Sequence, residues 1–199
     1  NNYKLFDEGQ KNVSIGYQNM YSAQTPTENV AIGSKNLYSA NTATYNVALG
    51  YESLYEGNGA SKNIVAGYRA AQQGTGMTHC IVLGVDAAEY QSDYPWPNNT
   101  HKLQAKIPMN RDIVMGLHAA QYYRNTKTYE SGSWNINIGY RAAYSAQGQY
   151  ETINIGSQAG AYASPGMGGT QHIRIGEQAG YSGSGYHNSN VIIGERAGF

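Results

Sequence analysis

A five-residue phrase recurs along the chain and constrains its fold more than any other feature. Its clearest copy is Asn29-Val30-Ala31-Ile32-Gly33, which reads as Asn or Asp, Val or Ile, any residue, an apolar residue and Gly. A short unit repeated in this way predicts stacked copies of one small supersecondary structure. Six further copies end at Gly16, Gly50, Gly67, Gly116, Gly139 and Gly194, and three weaker ones end at Gly84, Gly156 and Gly176.

The spacing of these glycines predicts a β-solenoid. The four steps from Gly16 to Gly84 are each 17 residues long, and the later steps are 32, 23, 17, 20 and 18 residues. Helical repeats and propeller blades need roughly 33 to 50 residues, whereas a solenoid coil needs only two strands of about five residues and two tight turns. We therefore predict an all-β parallel solenoid of about ten coils, which at about 4.8 Å per coil is roughly 45 to 50 Å long.

Composition and charge exclude several classes of protein. With 25 Gly, 5 Pro and a mean hydropathy of -0.56, the chain is neither collagen-like nor apolar enough for a transmembrane helix. Its 13 basic and 13 acidic residues cancel, which gives no reason to expect nucleic acid as a partner. The single cysteine, Cys80, stands at an Asn position of the repeat, where we expect a small buried side chain rather than a reactive thiol.

Breaks in the spacing divide the chain into four parts. Residues 1–11 lack the phrase and are interpreted as an N-terminal cap or junction strand. Residues 12–93 form regular coils, residues 94–134 form coil interrupted by insertion loops, and residues 135–199 return to regular coils. Because the chain begins without a methionine or a signal-like apolar segment, it is expected to be a processed or excised piece.

The alternation within each phrase predicts which side chains share a face. Val30 and Ile32 are two residues apart in a strand, so we expect them and their counterparts to point together into the coil interior. The middle residue then points outward, and because it is small or apolar in most coils, its face must be covered. We predict that identical chains cover it around a symmetry axis. The candidate axis residues are Ser14, Ala31, Ala48, Val65, Val82, Val114, Asn137, Asn154, Arg174 and Ile192.

After each glycine the pattern predicts a second strand. The glycine is expected at positive φ because the chain must turn sharply there. Small residues follow at the third and fourth positions after the glycine in most coils, whereas the early coils have Met20, Leu37 and Leu54 at the fourth position. These residues are expected to face the interior. The Asn of each phrase is expected to stack into a side-chain amide ladder. Tyrosine recurs five residues after the glycine and forms a broken ladder of phenols, for which we expect a packing role and not ligand binding. Its members are Tyr21, Tyr38, Tyr55, Tyr144 and Tyr181.

The residues from Asn29 to Asn36 and from Asn46 to Ser53 carry a resemblance to a known family. They resemble the head repeats of trimeric autotransporter adhesins, the YadA-like heads, and equally the repeats of bacteriophage tail fibres. The resemblance covers about residues 12–93 and 112–199, and the chain departs from the adhesin repeat in its longer coils, its Tyr-rich outer face and the insertion at 94–111. It implies a left-handed parallel β-roll, a side-by-side homotrimer whose inner strand faces a threefold axis, and an extracellular, cell-surface or virion location.

Two stretches depart from the regular coils, residues 94–111 and residues 124–134. We call them the excursions, and the candidate ligand-binding residues lie in or near them. Loops on a rigid scaffold commonly carry function, and aromatic rings stack on sugar faces. We predict a non-enzymatic fibre segment or tip that displays these loops to a cell-surface glycan or protein receptor. The alternative is that the aromatic residues only pack the insertions onto the rod or a neighbouring chain. The candidates are Tyr94, Trp96, His101, Tyr122, Tyr123, Tyr129 and Trp134.

Other functions fit the residues less well. Residues 1–11 and the abrupt end at Phe199 suggest the alternative of an extracellular filament subunit, joined end to end by strand addition. An enzyme is not expected, because the acidic residues are scattered singly and no Ser/His/Asp order, phosphate-binding loop or HExxH motif is present. The five histidines lack the spacing of a zinc site, so neither a metal nor another cofactor is expected. At a threefold axis, Arg174 would need carboxylates, water or an anion to offset three guanidinium charges.

Overall fold

The computed structural model describes residues 11–89, 109–121, 134–146, 150–165, 171–182, 184–185 and 189–198. Within these ranges the chain is all-β and contains no helix, and it winds as a parallel β-solenoid with a 17-residue spacing in its regular part. This confirms the prediction made from the glycines. The strands are β1 Val13–Tyr17, β2 Val30–Ser34, β3 Val47–Tyr51, β4 Ile64–Tyr68, β5 Ile81–Leu83, β6 Ile113–Met115, β7 Ile136–Ile138, β8 Ile153–Ile155, β9 Ser164–Pro165, β10 Ile173–Ile175, β11 Ser184–Gly185 and β12 Val191–Ile193.

Ten of these strands form one sheet in chain order, from β1 to β8 and then β10 and β12. Equivalent residues pair at each step, so that Val30 lies beside Val47 and Gly33 beside Gly50. The register is kept across the long steps as well, since Ile81 pairs with Ile113 and Val114 with Asn137. The strands on either side of a longer coil therefore pair as the strands of the regular coils do. The two short strands β9 and β11 pair with each other.

The predicted assignment of inner and outer faces is wrong. The middle residues of the phrase are fully buried inside a single chain, as Ala31, Ala48, Val65 and Val82 at 0% exposure show. Ser14 in the first described coil is exposed and Ile192 is half-buried. The flanking Val and Ile residues point outward instead. The interior of the coil is narrow, so it accepts the smaller middle side chains, and the bulkier β-branched residues stand on the outside. The middle residues therefore cannot form a surface for a neighbouring chain.

The chain after each glycine forms turns, not the predicted second strand. Residues two and four positions after the glycine adopt left-handed backbone conformations, as Lys35 does at φ 55° and Leu37 at φ 52°. A run of such turns cannot form an extended strand. Four single-residue parallel bridges form a second line of contact between coils outside the sheet, and they join Thr27, Thr44, Ser61, Thr78 and Asn110 in order.

The interior side chains from the two walls are complementary in size. The atoms around the glycines show which positions face each other. A Cβ added to Gly198 would lie 3.2 Å from Ile192 Cδ1, so Gly198 faces the middle residue of its own coil. In register, the middle residues run Ala31, Ala48, Val65, Val82, Val114, Asn137, Asn154, Arg174 and Ile192, and the facing residues run Leu37, Leu54, Ala71, Ala88, Ala120, Ala143, Gly160, Gly180 and Gly198. Larger residues on one wall meet smaller ones on the other. The prediction that Met20, Leu37 and Leu54 face the interior is confirmed, since all three are fully buried.

The predicted amide ladder runs along one corner of the coil. The side-chain oxygen of Asn29 accepts hydrogen bonds from the backbone N–H (2.9 Å) and the side-chain amide (3.0 Å) of Asn46. The Asn46 amide also donates to the carbonyl of Ala60 at 2.9 Å, and the pattern repeats at Asn63. Each Asn thereby satisfies backbone groups that the turn leaves without partners. At the Asn position Cys80 lacks the side-chain amide, and its Sγ donates instead to the carbonyl of Thr78 at 3.3 Å, while its backbone N–H keeps the bond to Asn63 Oδ1 at 2.9 Å.

Candidate functional site

The outer surface of the ten-stranded sheet is the most prominent apolar surface among the described residues. Strand alternation places two residues of each phrase on it, and several are strongly exposed, with Ile15 at 57% and Ile64 at 47%. Side chains of this kind are buried in most proteins, and a continuous exposed patch of them marks an interaction surface. We call this the outer apolar face: Val13, Ile15, Val30, Ile32, Val47, Leu49, Ile64, Ile81, Leu83, Ile113, Met115, Ile136, Ile138, Ile153, Ile155, Ile173, Ile175, Val191 and Ile193.

Aromatic residues extend the outer apolar face past the glycines. Tyr51 and Tyr68 lie one position after their glycines, and their rings stack with centroids 5.3 Å apart and planes at 10°. Tyr17, Tyr68 and Tyr140 are each at least 42% exposed. The outer apolar face is thus an aliphatic strip with an aromatic border along one side.

Charged residues form rims on both sides of this face. On one rim Lys11 Nζ lies 3.5 Å from a Glu28 carboxylate oxygen, and on the other Lys35 Nζ lies 3.7 Å from Glu52. The pairs join successive coils of one chain, so the rim charges are largely matched along the rod. Pairs with this exposure contribute little to stability. An apolar centre with polar rims is the arrangement typical of a protein–protein interface.

The phenol ladder that follows the glycines packs against itself. Tyr21, Tyr38 and Tyr55 stack at centroid distances of 5.5 and 4.9 Å. Tyr38 is stacked on both faces and its two neighbours on one face each, and Tyr144 and Tyr181 contact Tyr162 edge to face. The arrangement agrees with the packing role that the sequence favours.

The structure describes one of the seven predicted ligand-binding residues. Trp134 is 52% exposed, and the Arg111 guanidinium lies 4.7 Å from the centroid of its ring. It stands immediately before β7, beside the outer apolar face, and not at the tip of an excursion. The other six candidates lie outside the described residues, so their ligand-binding role stays a prediction: Tyr94, Trp96, His101, Tyr122, Tyr123 and Tyr129.

Both excursions start beside a buried polar cluster that the sequence analysis missed. Glu89 is 1% exposed, and its carboxylate accepts hydrogen bonds from Gln121 Nε2 at 2.8 Å and pairs with Arg69 Nη2 at 2.8 Å. Glu89 and Gln121 are the last described residues before the stretches 90–108 and 122–133. The cluster ties the two starting points together on adjacent coils. The signal in the sequence is the replacement of Tyr by Gln72, Glu89 and Gln121 in this one column.

Cys80 is a buried structural residue. It is 1% exposed, and burial raises the pKa of its thiol to about 12. Since the thiolate is the nucleophile, a thiol that stays protonated at neutral pH is unreactive. This agrees with the role predicted for it.

Comparison of the chain with family models, curated proteins and solved structures found no match. In the described part of the chain, His, Cys, Asp and Glu do not form a group of three or more that is placed to hold a metal ion. The same part contains no helix with the length and apolar character that a membrane crossing needs.

Proposed function

We propose that this chain is a non-enzymatic rod segment of an extracellular fibre, such as a trimeric surface adhesin or a phage tail fibre, whose excursions display receptor-binding loops. The observation that carries the proposal is the outer apolar face, which extends over all ten strands of the sheet. At about 4.8 Å per strand and about 10 to 15 Å across, it measures roughly 450 to 700 Å². The largest patch of a typical monomer measures about 300 to 600 Å² and often marks an interaction site, so this face lies in or above the upper part of that range. We therefore expect a partner to cover it.

Further copies of the same chain are the partner that suits this face best. The face repeats one Val-x-Ile pattern at constant register, so an identical chain offers matching ridges and spacing along the whole length. A closed ring of chains around an axis buries the face without leaving an open surface. The resemblance to adhesin heads and tail fibres adds that three chains surround the axis, that the roll is left-handed and that the fibre is at a cell surface or on a virion. The axis is then lined by the flanking Val and Ile residues and not by the middle residues.

Receptor binding is assigned to the excursions because the described residues that precede them lie on adjacent coils. The Glu89–Gln121 hydrogen bond holds their starting points side by side, and a rigid scaffold that presents neighbouring loops is a common way to build a binding surface. The receptor class that suits the aromatic residues of these stretches is a cell-surface glycan, with a protein receptor as the other possibility.

The mass of residues 1–199 in solution, measured by light scattering on a size-exclusion column, tests the association. We expect three times 21.6 kDa. The variant Ile64→Asp places a charge in the middle of the outer apolar face and should dissociate the trimer, because an unpaired buried carboxylate is costly. The control Asn58→Asp adds the same charge at an exposed turn and should leave the mass unchanged.

Two results would overturn the proposed trimer. A stable wild-type monomer would show that the outer apolar face needs no copy of itself. Very large species that dissociate only when the ends of the rod are altered would favour the end-to-end filament. Circular dichroism of Ile64→Asp distinguishes dissociation from unfolding.

A further inference from the structure

Arg174 is a buried arginine in the coil interior. It occupies the middle position of β10, between Asn154 of β8 and Ile192 of β12, and it is 4% exposed. Its Nη1 donates a hydrogen bond to Asn154 Oδ1 at 3.1 Å. Its Nε is buried and has no hydrogen-bond partner among the described residues. A guanidinium carries five N–H donors and accepts no hydrogen bond, so this site lacks acceptors.

The positive charge of Arg174 is not offset by a described carboxylate. Burial alone lowers its pKa, to about 10, so the group remains protonated at neutral pH. The nearby acidic residues, Glu177 and Glu195, are exposed on the outside of the rod, and residues 166–170, 183 and 186–188 include no Asp or Glu. A buried charge without a counter-charge costs several kcal/mol.

A second nitrogen in the same interior also has no partner. His172 lies two residues before Arg174, on the same side of the chain, and is 3% exposed. Its Nδ1 is buried and makes no hydrogen bond within the described part of the chain. Burial and the positive charge of Arg174 both lower the pKa of His172. Two buried nitrogen groups thus share a region of positive potential.

The facing wall of the coil carries no side chains at this level. Gly160, Gly180 and Gly198 occupy the positions that Leu37 and Leu54 fill earlier in the rod. A Cβ at Gly180 would lie 2.6 Å from Arg174 Cδ and 2.7 Å from its Nε, and both distances are shorter than the contacts that Cβ atoms make in proteins. The bare backbone therefore leaves room at this level for the Arg174 side chain and for a group that offsets its charge.

We propose that a small inorganic anion, chloride under ordinary conditions, binds inside the coil beside Arg174 and His172. Arg174 Nε and His172 Nδ1, the latter in the tautomer that carries its hydrogen there, donate to it. The anion supplies the two missing acceptors and offsets the buried charge. An inorganic ion is proposed and not an organic anion because the Arg174 side chain already packs against the Gly180 backbone, which leaves no space there for a larger group. The inference concerns the stability of the rod and stands independently of the proposed trimer and receptor.

Thermal unfolding at constant ionic strength tests this inference, with sodium chloride exchanged for sodium gluconate. A chloride concentration about 100-fold above its Kd should raise the Tm of the wild-type protein by roughly 5 to 10 °C over gluconate. Arg174→Met keeps an unbranched apolar side chain but removes the guanidinium and its charge, so its Tm should be the same in both salts. The control Arg196→Met removes an exposed arginine and should keep the chloride dependence.

Diffraction from crystals grown in bromide provides a readout that does not depend on a variant. Bromide replaces chloride and has an anomalous signal, which should appear within hydrogen-bond distance of Arg174 Nε. Anomalous density elsewhere only, or an ordered water at this place, would overturn the proposal. An equal Tm of the wild-type protein in chloride and gluconate would also overturn it.

Discussion

At the scale of single residues, the repeated glycine serves contact between coils more than it serves a turn. These glycines have φ between 123° and 147°, a region that side chains rarely adopt. A Cβ at Gly50 would also collide with the carbonyl oxygen of Gly67 in the next coil. The prediction of positive φ is confirmed, although it rested on the turn alone. The close approach of adjacent coils is a second, independent reason that no other residue fits.

The substitution Gly50→Ala should therefore destabilise the rod strongly. We expect a loss of about 3 kcal/mol or more, because backbone strain and a clash with backbone atoms act together. The matched control is Gly59→Ala, where φ is 71° and the nearest atom to a new Cβ is 3.9 Å away. It should cost about 1 to 2 kcal/mol from backbone strain alone. Urea unfolding followed by circular dichroism measures both, and equal losses would contradict the role assigned to contact between coils.

At the scale of the coil, the interior is specified by pairs of positions and not by single residues. Small middle residues such as Ala48 face large ones such as Leu54, and from Val65 onward the facing residue becomes Ala and then Gly. The sum of the two side chains is limited because only five residues, several of them in tight turns, separate the two facing positions of one coil. Close packing of this kind makes each position depend on its partner.

A double-mutant cycle at Ala48 and Leu54 tests this dependence. Leu54→Ala should cost about 2 to 5 kcal/mol by leaving a cavity, and Ala48→Val about 1 to 3 kcal/mol by overpacking. The double variant reproduces the pairing of Val65 with Ala71 in the next coil. It should recover at least about 1 kcal/mol relative to the sum of the single effects. Additive losses in urea unfolding would show that the two positions do not share one space.

At the scale of the whole molecule, we expect the rod and the excursions to be separable. The ends of the first excursion are held by the ladder, since Ala88 N–H bonds to Ala119 O at 2.8 Å and Thr78 N–H to Met109 O at 3.0 Å. The second excursion is bounded in the same way by Gln121 and Trp134. The coil can therefore close without the residues in between.

Replacing each excursion by the corresponding turn of the coil that contains β4 should leave the rod folded. Residues 73–76 of that coil substitute for residues 90–108, and residues 73–78 substitute for 122–133, which restores the 17-residue spacing in both cases. The circular dichroism and the mass per assembly, corrected for the deleted residues, should match the wild-type protein. Retention on a glycan array should be lost with at least one graft, and the two grafts serve as controls for each other.

Two results would contradict this separation. Unfolding of both grafts would support the alternative in which the aromatic residues only pack the insertions onto the rod. Undiminished glycan retention by both grafts would place the binding surface elsewhere on the rod, with Trp134 as the first residue to substitute.

The sequence by itself determined the period, the parallel in-register stack, the amide ladder and the interior position of Met20, Leu37 and Leu54. These features follow from local patterns that repeat with the coil. It could not determine which face of the strand is inside, because alternation shows only which side chains share a side. The usual rule that bulky apolar residues are buried then gave the wrong answer. The complementary sizes of the middle residue and of the residue four positions after the glycine were a usable signal.

Only the tertiary structure decided the faces, the turns and the polar cluster at the excursions. The separation between the two walls of the coil sets how large an interior side chain can be, and it depends on the turn residues after each glycine and on the stacking contacts between residues of successive coils. The same contacts place Glu89 beside Gln121, 32 residues apart, and enclose Arg174 inside its own chain. The outer apolar face is likewise a property of the closed coil, because Val and Ile become external only once the smaller residues have filled the interior.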